Sequence, residues 1–219
     1  MLQDCLNEVE DRIARACSRS GRSRDEVTLI AVTKVFPASA ILEAYELGLR
    51  DFGENYVQEF SDKFPEVSHL DGARFHLIGH LQSNKSTRAT EIFRVIQTVD
   101  TPRLARRLAE AGHPVDIMLE VKLAPEEAKF GVEPDALPEL IDAVRQFPSL
   151  RVLGLMTIPP WSDDQELSRP YFSKLGELAA LHGMRCLSMG MSNDFEAAIE
   201  EGSTHIRVGT ALFGPRIKK

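Results

Sequence analysis

The amino-acid sequence predicts a single-domain α/β protein folded as a closed (β/α)8 barrel of the TIM type. Short apolar runs recur at eight places along the 219 residues, and helical patterns separate them. The runs are continuously apolar rather than alternating, which indicates strands buried on both faces and joined in parallel through helices. A doubly wound open sheet is the alternative. It normally has fewer strands, and the glycine-rich dinucleotide motif is missing after the first strand.

The first predicted element is an amphipathic helix over residues 1–19, additional to the barrel and packed on it. The helix that follows the fourth strand has clear end signals, with Thr101 and Pro102 at its start and Gly112 at its stop. No linker interrupts the pattern, so residues 1–219 are expected to form one domain. The eight candidate strands are 27–33, 51–53, 74–79, 95–100, 115–121, 152–157, 185–189 and 204–208.

Composition narrows the class of partner. The formal net charge of -7 argues against nucleic acid or an anionic membrane as the main partner. No apolar stretch is long enough to span a bilayer, and the N-terminus lacks the pattern of a secretory signal. Three scattered cysteines without a CxxC pair suit a reducing compartment and predict no zinc site. We expect a cytoplasmic monomer that binds a small molecule.

Lys34 ends the first apolar strand and is the first candidate functional residue. In barrels of this kind the chemistry lies at the C-terminal ends of the strands. Partial burial there favours a neutral amine that attacks a carbonyl carbon. The alternative is a lysine whose stem covers apolar surface while its ammonium reaches water.

The loops after the seventh and eighth strands are candidate phosphate loops, as is common in barrels. Gly190 and Gly209 let the backbone approach an anion, and Ser192 and Thr210 supply hydroxyl donors. Ser192 is alternatively an ordinary helix N-cap, supported by Asn193 and Glu196 in capping-box spacing. Nearby Asp194 disfavours an anion unless its carboxylate points away.

A lysine and two phosphate loops at one barrel mouth together imply a phosphate ligand that carries an aldehyde, which describes pyridoxal 5'-phosphate (PLP). Arg207, on the eighth strand, is expected to face the pyridine nitrogen of such a ligand. An always-charged donor there makes the ring a weak electron sink, so carbanion chemistry is poorly supported. The alternative for Arg207 is a salt bridge inside the barrel.

The sequence closely resembles the pyridoxal phosphate homeostasis protein family over nearly its whole length. The resemblance implies a barrel like the N-terminal domain of alanine racemases, with PLP held as a Schiff base on Lys34. It also implies that Ser192, Arg207, Gly209 and Thr210 hold the phosphate and ring, and that Asn55 lines the pocket. The motifs that carry it are residues 31–34 (Ala-Val-Thr-Lys), 52–59 (Phe-Gly-Glu-Asn-Tyr-Val-Gln-Glu), 76–85 (His-Leu-Ile-Gly-His-Leu-Gln-Ser-Asn-Lys), 154–157 (Gly-Leu-Met-Thr), 187–192 (Leu-Ser-Met-Gly-Met-Ser) and 207–214 (Arg-Val-Gly-Thr-Ala-Leu-Phe-Gly).

The chain departs from the family pattern at one lysine position and matches it at another. Many relatives have a second lysine two positions after the cofactor lysine, where this chain has Phe36. Lys129 matches a lysine motif of the family and is either a secondary aldehyde acceptor or an exposed loop residue.

Four other residues near the predicted mouth have no assigned chemistry. His76 and His80 share a strand face but lack a further metal ligand at a suitable spacing, so we expect hydrogen bonding near Gln82 and Asn84 rather than a metal site. Glu54 is a candidate base or an ion-pair partner of Lys85 or Arg207. Tyr56 is the only tyrosine expected near the mouth.

The sequence therefore predicts a protein of vitamin B6 homeostasis that binds PLP reversibly without significant turnover, with PLP-dependent apoenzymes as recipients. A slow PLP-dependent amino-acid racemase is the alternative, and a cofactor-free structural protein is a third class. A racemase needs an acid or base on each face of its substrate, typically with a tyrosine from a second domain, and we expect no such domain here.

Overall fold

The computed structural model describes residues 1–124 and 130–215, in which eight parallel strands form one closed barrel in sequence order. The strands are β1 (Thr28–Val32), β2 (Asp51–Glu54), β3 (Arg74–Leu77), β4 (Val95–Val99), β5 (Val115–Glu120), β6 (Leu150–Met156), β7 (Cys186–Met191) and β8 (His205–Val208). Parallel pairing of β1 with β8 closes the barrel, because Thr28 to Ala31 lie beside His205 to Val208. The predicted barrel is confirmed.

Helices alternate with the strands, as the helical patterns predicted. In the described part of the chain they are α1 (Leu2–Arg19), α2 (Ala38–Glu46), α3 (Val57–Val67), α4 (Ser86–Ile92), α5 (Pro102–Glu110), α6 (Leu137–Arg145), α7 (Arg169–Leu181), α8 (Phe195–Glu200) and α9 (Thr210–Phe213). Helix α5 begins where Thr101 and Pro102 predicted, and the Thr101 hydroxyl accepts a hydrogen bond from the Leu104 amide. None of the described helices is long and apolar enough to cross a membrane.

The additional helix α1 packs against α8, beside the loop that follows β7. Its apolar stripe, which includes Val9 and Ile13, is buried in the core. Arg12 on the same helix places its guanidinium 4.3 Å from the centre of the Phe195 ring and its Nε 2.7 Å from Glu196 Oε1. A second nitrogen of Arg12 donates to the Ser192 carbonyl at 3.2 Å. The helix therefore braces one of the two candidate phosphate loops.

Two strands extend two residues beyond their expected ranges, whereas β3 ends two residues early, at Leu77, and the other boundaries differ by one residue or less. Strand β6 begins at Leu150, two residues early, because Leu150 pairs with Val115 of β5 and is buried. Strand β7 continues past Gly190 to Met191, which pairs with Arg207 across a shift in register. The second difference carries β7 further toward the barrel mouth.

A line of polar side chains crosses the interior of the barrel. Ser188 Oγ of β7 donates to Gln97 Oε1 of β4 at 2.6 Å, and these strands lie on opposite sides of the barrel. Gln97 also contacts His76 of β3, whose other ring nitrogen lies 2.8 Å from Asp51 Oδ1 of β2. Barrel interiors are usually filled by branched aliphatic side chains. Here the Ser188–Gln97 hydrogen bond joins two strands that share no backbone pairing, and the other contacts extend the line across the paired strands β4, β3 and β2.

Gly154 is required where β6 passes β7. A Cβ atom at residue 154 would lie 1.8 Å from the carbonyl oxygen of Cys186, which is backbone and cannot move independently. Gly176 within α7 is a useful contrast, because a Cβ there would lie 3.7 Å from the nearest carbonyl oxygen, that of Glu201. Only the first position excludes a side chain.

We therefore predict opposite effects of two alanine substitutions. Gly154→Ala should lower the free energy of unfolding by roughly 3 kcal/mol, because the strands must separate to admit the methyl group. Gly176→Ala should raise it by up to about 1 kcal/mol through helix propensity. Urea denaturation followed by circular dichroism measures both. Equal effects of the two substitutions would contradict the assigned contact at Gly154.

Candidate cofactor site

All six residues that the sequence singled out for a cofactor line one cavity at the C-terminal end of the barrel. The cavity measures about 270 Å³. It is lined by Lys34, Asn55, Ser192, Arg207, Gly209 and Thr210, and also by Val32, Phe36, Ile78, Ile158, Trp161 and Asp194. Strands β1, β2, β7 and β8 thus contribute their ends or following loops to a single site. The sequence analysis missed the exposed Trp161, which follows β6 in a proline-rich loop.

The turn after β1 presents Lys34 in a strained backbone. Val35 has a φ of 64°, which a β-branched residue rarely adopts and which costs about 1–3 kcal/mol. Its amide donates to Glu59 Oε1 at 2.7 Å, and the Lys63 ammonium lies 2.7 Å from the same oxygen. These contacts from α3 hold the strained turn in place.

Lys63 also connects the turn to the end of β2. Its ammonium donates to the Thr33 carbonyl and to Glu54 Oε1, both at 3.1 Å. The Thr33 hydroxyl donates to Glu54 Oε1 at 2.7 Å. Burial raises the pKa of Glu54, and the nearby ammonium opposes this rise. Glu54 is therefore an ion-pair partner of Lys63, and neither Lys85 nor Arg207 takes that place.

Sequence analysis overlooked Lys63, although its position carried a signal. On α3 it falls among Phe60 and Val67 on the face that is buried against the barrel. A lysine at core spacing needs a buried partner. Glu54 at the end of the adjacent strand was the available candidate.

Arg207 is buried at the mouth, with 4% of its surface exposed. Its guanidinium donates to Ser188 Oγ at 2.7 Å and to the Thr157 carbonyl at 2.9 Å. Burial lowers the pKa of Arg207 to about 10, so the group remains charged at neutral pH. Within the described residues no carboxylate lies within salt-bridge distance of it, and the alternative of an interior salt bridge is wrong. Its charge faces the cavity instead.

Ser192 joins the two candidate phosphate loops. Its hydroxyl accepts from the amides of Gly209 and Ala211, each at 3.3 Å. The alternative of a helix cap at Ser192 is wrong, because α8 begins at Phe195 and Asp194 is its N-cap residue. These two amides are engaged by Ser192 Oγ, so the donors left at this place are the hydrogen of the Ser192 hydroxyl and the Thr210 hydroxyl at the start of α9. Such donors suit a phosphate group.

Two nearby residues behave differently from expectation. Gly190 has a φ of 90°, and a Cβ there would lie 2.5 Å from the Ala198 methyl carbon, so this glycine serves the packing of α8 rather than anion binding. Asp194 is buried, and its Oδ1 accepts from the Met191 amide at 2.7 Å. Its carboxylate is engaged by the backbone of its own loop, but it still lines the cavity.

The two histidines have separate roles, and the expected hydrogen bonding is confirmed for His76, with Asp51 and Gln97 as its partners. His76 belongs to the interior line, between Asp51 and Gln97. His80 stacks on Phe130 with ring centres 3.6 Å apart. No group of three or more potential metal ligands occurs in residues 1–124 or 130–215.

Three further residues named in the sequence analysis are Tyr56, Phe36 and Lys129. Tyr56 is 61% exposed and does not line the cavity. Phe36 lines it and packs on Phe213, with ring centres 5.3 Å apart. Lys129 lies outside the described residues.

Glu120, at the end of β5, is a buried carboxyl group that sequence analysis did not identify. Its Oε2 has no hydrogen-bond partner in the described structure, and 7% of the residue is exposed. Burial raises the pKa of Glu120 to about 7, with Asp100 adding to the rise and Arg207 opposing it. The carboxyl group therefore takes up a proton at a higher pH than an ordinary glutamate does.

The chain matches the family model described as alanine racemase, N-terminal domain, over residues 5–216. It is 45% identical to the pyridoxal phosphate homeostasis protein of Pseudomonas aeruginosa over 96% of this chain and 94% of that protein. The Escherichia coli K12 protein of the same name is 42% identical over 96% of this chain and 95% of the relative.

Solved structures also resemble this chain. PipY from Synechococcus elongatus with PLP bound has a TM-score of 0.86 and 37% identity, covering 98% of this chain and 100% of PipY. An alanine racemase from Clostridium difficile has a TM-score of 0.72 at 13% identity, and the match covers 57% of that enzyme. The second likeness concerns the fold alone.

The raised pKa of Glu120 predicts a specific dependence of stability on pH. A carboxyl group with a folded-state pKa of about 7, against an ordinary value of 4.5, destabilises the folded protein as pH rises through that interval. Glu120→Gln should remove this loss. The variant should therefore gain about 2–3 kcal/mol relative to the parent protein between pH 5 and pH 8.

Urea denaturation at the two pH values measures this difference. Glu133→Gln is the matched control, because Glu133 is nearby and its side chain is 63% exposed. Parallel pH profiles for Glu120→Gln and the parent protein would show that Glu120 does not titrate in this way.

Proposed function

Because the chain belongs to the pyridoxal phosphate homeostasis protein family, we propose that it binds PLP and takes part in vitamin B6 homeostasis, holding the cofactor reversibly through Lys34. The observation that carries the proposal is the convergence of a lysine, a buried arginine and two donor-rich loops on one cavity. PLP would supply an aldehyde that forms a reversible covalent bond with a primary amine. No other group in this proposal carries out a chemical step.

The residues of the cavity divide into a covalent end and a phosphate end. Lys34 supplies the amine from a turn held by α3. Ser192, Gly209 and Thr210 would bind the phosphate through hydroxyl and amide donors. Arg207 would face the ring nitrogen, and Asn55 would line the ring.

The absence of significant turnover is part of the proposal. The curated relatives are named homeostasis proteins rather than enzymes. A charged guanidinium at the ring nitrogen would weaken the electron sink that racemisation requires. Tyr56, the tyrosine expected near the mouth, has an exposed side chain outside the cavity lining. A slow racemase is therefore not favoured.

The proposal extends to the cellular setting. We propose a cytoplasmic monomer that passes PLP to PLP-dependent apoenzymes. The acidic net charge of -7 and the three free cysteines support this setting. The position of the cavity at the open end of the barrel supports release to another protein or to solution.

Lys34 should be the site of covalent attachment. Purified protein incubated with PLP should turn yellow, and borohydride should fix the cofactor on the peptide that contains Lys34. Lys34→Met should remain colourless after gel filtration. Lys85→Ala is the matched control, because Lys85 does not line the cavity, and it should keep the colour. Peptide mass spectrometry that found the label elsewhere would overturn the assignment.

The phosphate end is tested by comparing PLP with pyridoxal, which lacks the phosphate. Thr210→Val should weaken PLP binding roughly 10-fold or more, since a hydrogen bond to a charged group is worth about 1.5–3 kcal/mol. Its effect on pyridoxal binding should be small. Fluorescence titration measures both dissociation constants.

Ser162→Ala is the control for this comparison, because Ser162 lines the same cavity from the loop after β6. It should leave the ratio of PLP to pyridoxal affinity unchanged. If Thr210→Val weakened both ligands equally, the phosphate would not lie against the loop after β8.

A further inference from the structure

A smaller chamber adjoins the cofactor cavity beside the end of β5. It measures about 210 Å³, and Ile158 lines both spaces. Its walls are mostly apolar, and its polar groups are Glu120 and Lys122. The lining residues are Glu120, Val121, Lys122, Leu123, Ala124, Phe130 and Ile158.

Glu120 is the unusual member of this lining. Its carboxyl group is more than nine-tenths buried, and Oε2 lacks a hydrogen-bond partner in the described residues. A buried polar atom without a partner destabilises the folded protein. An oxygen atom in this condition at the wall of a chamber is a ready acceptor for a ligand that brings its own donor.

The charges around Glu120 favour a cationic ligand. Asp100, from the end of β4, adds a second negative charge, and Arg207 of β8 contributes one positive charge. The Lys122 ammonium is paired with the exposed Glu133 at 2.9 Å. His80 stacks on the Phe130 ring with ring centres 3.6 Å apart. Among residues 1–124 and 130–215, Glu120 is therefore influenced by one further carboxyl group, that of Asp100, and by the charge of Arg207.

The apolar walls restrict the kind of cation. Ca²⁺ and Mg²⁺ take about six or more oxygen ligands and Zn²⁺ takes about four N, S or O ligands, whereas the described lining of the chamber provides a single carboxyl group and no histidine or cysteine. An alkylammonium needs one strong acceptor for its charged end and apolar surface for its chain. Val121, Leu123 and Ile158 supply that surface.

We propose that this chamber binds a small primary amine, with its ammonium group on Glu120 and its alkyl chain against the apolar walls. The site is a property of this chain, but its use rests on the proposed function: an amine held there lies next to PLP bound in the larger cavity. Primary amines are the chemical class that competes with Lys34 for the aldehyde of PLP. The chamber would thus place an ammonium ion beside the cofactor, and it would compete for the aldehyde only after transferring a proton to the Glu120 carboxylate.

The proposal has a defined pH dependence. The carboxyl group must be ionised to hold an ammonium, and the pKa of Glu120 is about 7 without a ligand. An alkylammonium stays protonated well above this pH. Affinity should therefore fall about tenfold from pH 8 to pH 6 through the uptake of one proton by Glu120.

The test uses n-butylammonium chloride as the probe and isothermal titration calorimetry as the measurement. Cofactor-free protein is titrated first, so that binding is measured without reaction at PLP. Saturable binding is expected at pH 8, weakening about tenfold at pH 6. Glu120→Gln should bind the probe at least tenfold more weakly, whereas the control Glu139→Gln, at an exposed residue outside the chamber lining, should bind it like the parent protein.

Protein with PLP fixed by borohydride is titrated in the same way, to show that the probe does not occupy the cofactor cavity. n-Butanol, a neutral molecule of the same shape, should bind much more weakly than the probe. This comparison on the unaltered protein holds even if Glu120→Gln fails to fold.

Three results would overturn the proposal: no saturable binding, equal binding of n-butanol, or undiminished binding by folded Glu120→Gln. Failure of the proposed function is separate from these. It would appear as a failure to incorporate PLP, measured by absorbance, and would leave amine binding to cofactor-free protein unaffected.

Discussion

The interior of this barrel depends on how one buried positive charge, that of Arg207, is accommodated. Removing a guanidinium from water is costly unless its donors are satisfied. Ser188 and the Thr157 carbonyl accept from it, and no carboxylate among the described residues neutralises it at close range. The charge is therefore stabilised by dipoles rather than cancelled, and it remains directed at the cavity. A full ion pair would have hidden it from a ligand.

The hydrogen bond from Arg207 to Ser188 determines which group donates and which accepts in each hydrogen bond from Ser188 to Asp51. Ser188 accepts from the arginine and so donates to Gln97 Oε1, which leaves the Gln97 amide nitrogen to donate to His76 Nδ1. The other ring nitrogen of His76 then donates to Asp51. Burial raises the pKa of Asp51, but hydrogen bonds from His76 and Arg74 outweigh this and lower it. A directed network of this kind resists rotation of any single side chain. It fixes the guanidinium that borders the cofactor site.

Much of the fold was predictable from the sequence, because parallel strands buried on both faces leave continuous apolar runs that helices must separate. The six candidate site residues could also be predicted, because a barrel brings the C-terminal ends of its strands together at one face. The line of polar side chains across the barrel interior could not be predicted. Its members lie on four different strands and share no local spacing in the sequence; they are Asp51, His76, Gln97 and Ser188. Glu120 escaped for a similar reason. The lack of a hydrogen-bond partner for its carboxyl group results from how the folded chain packs. The sequence around a glutamate at the end of a strand does not show it.

At the barrel mouth, a strained turn lies above a rigid hydrogen-bonded interior. This combination favours reversible binding of an aldehyde over catalysis. Lys34 precedes a valine held in a left-handed conformation by contacts from α3, so the position of the lysine is set before any ligand arrives. Pre-organisation of the amine lowers the cost of forming a bond with an aldehyde. Racemisation needs more: an electron sink in the ring and a second acid or base across the substrate. In the proposed placement beside the ring nitrogen, Arg207 would oppose the first requirement, and the exposed side chain of Tyr56 does not meet the second. The proposed site would therefore hold and release an aldehyde, which is the physical requirement for keeping a reactive cofactor at a controlled concentration.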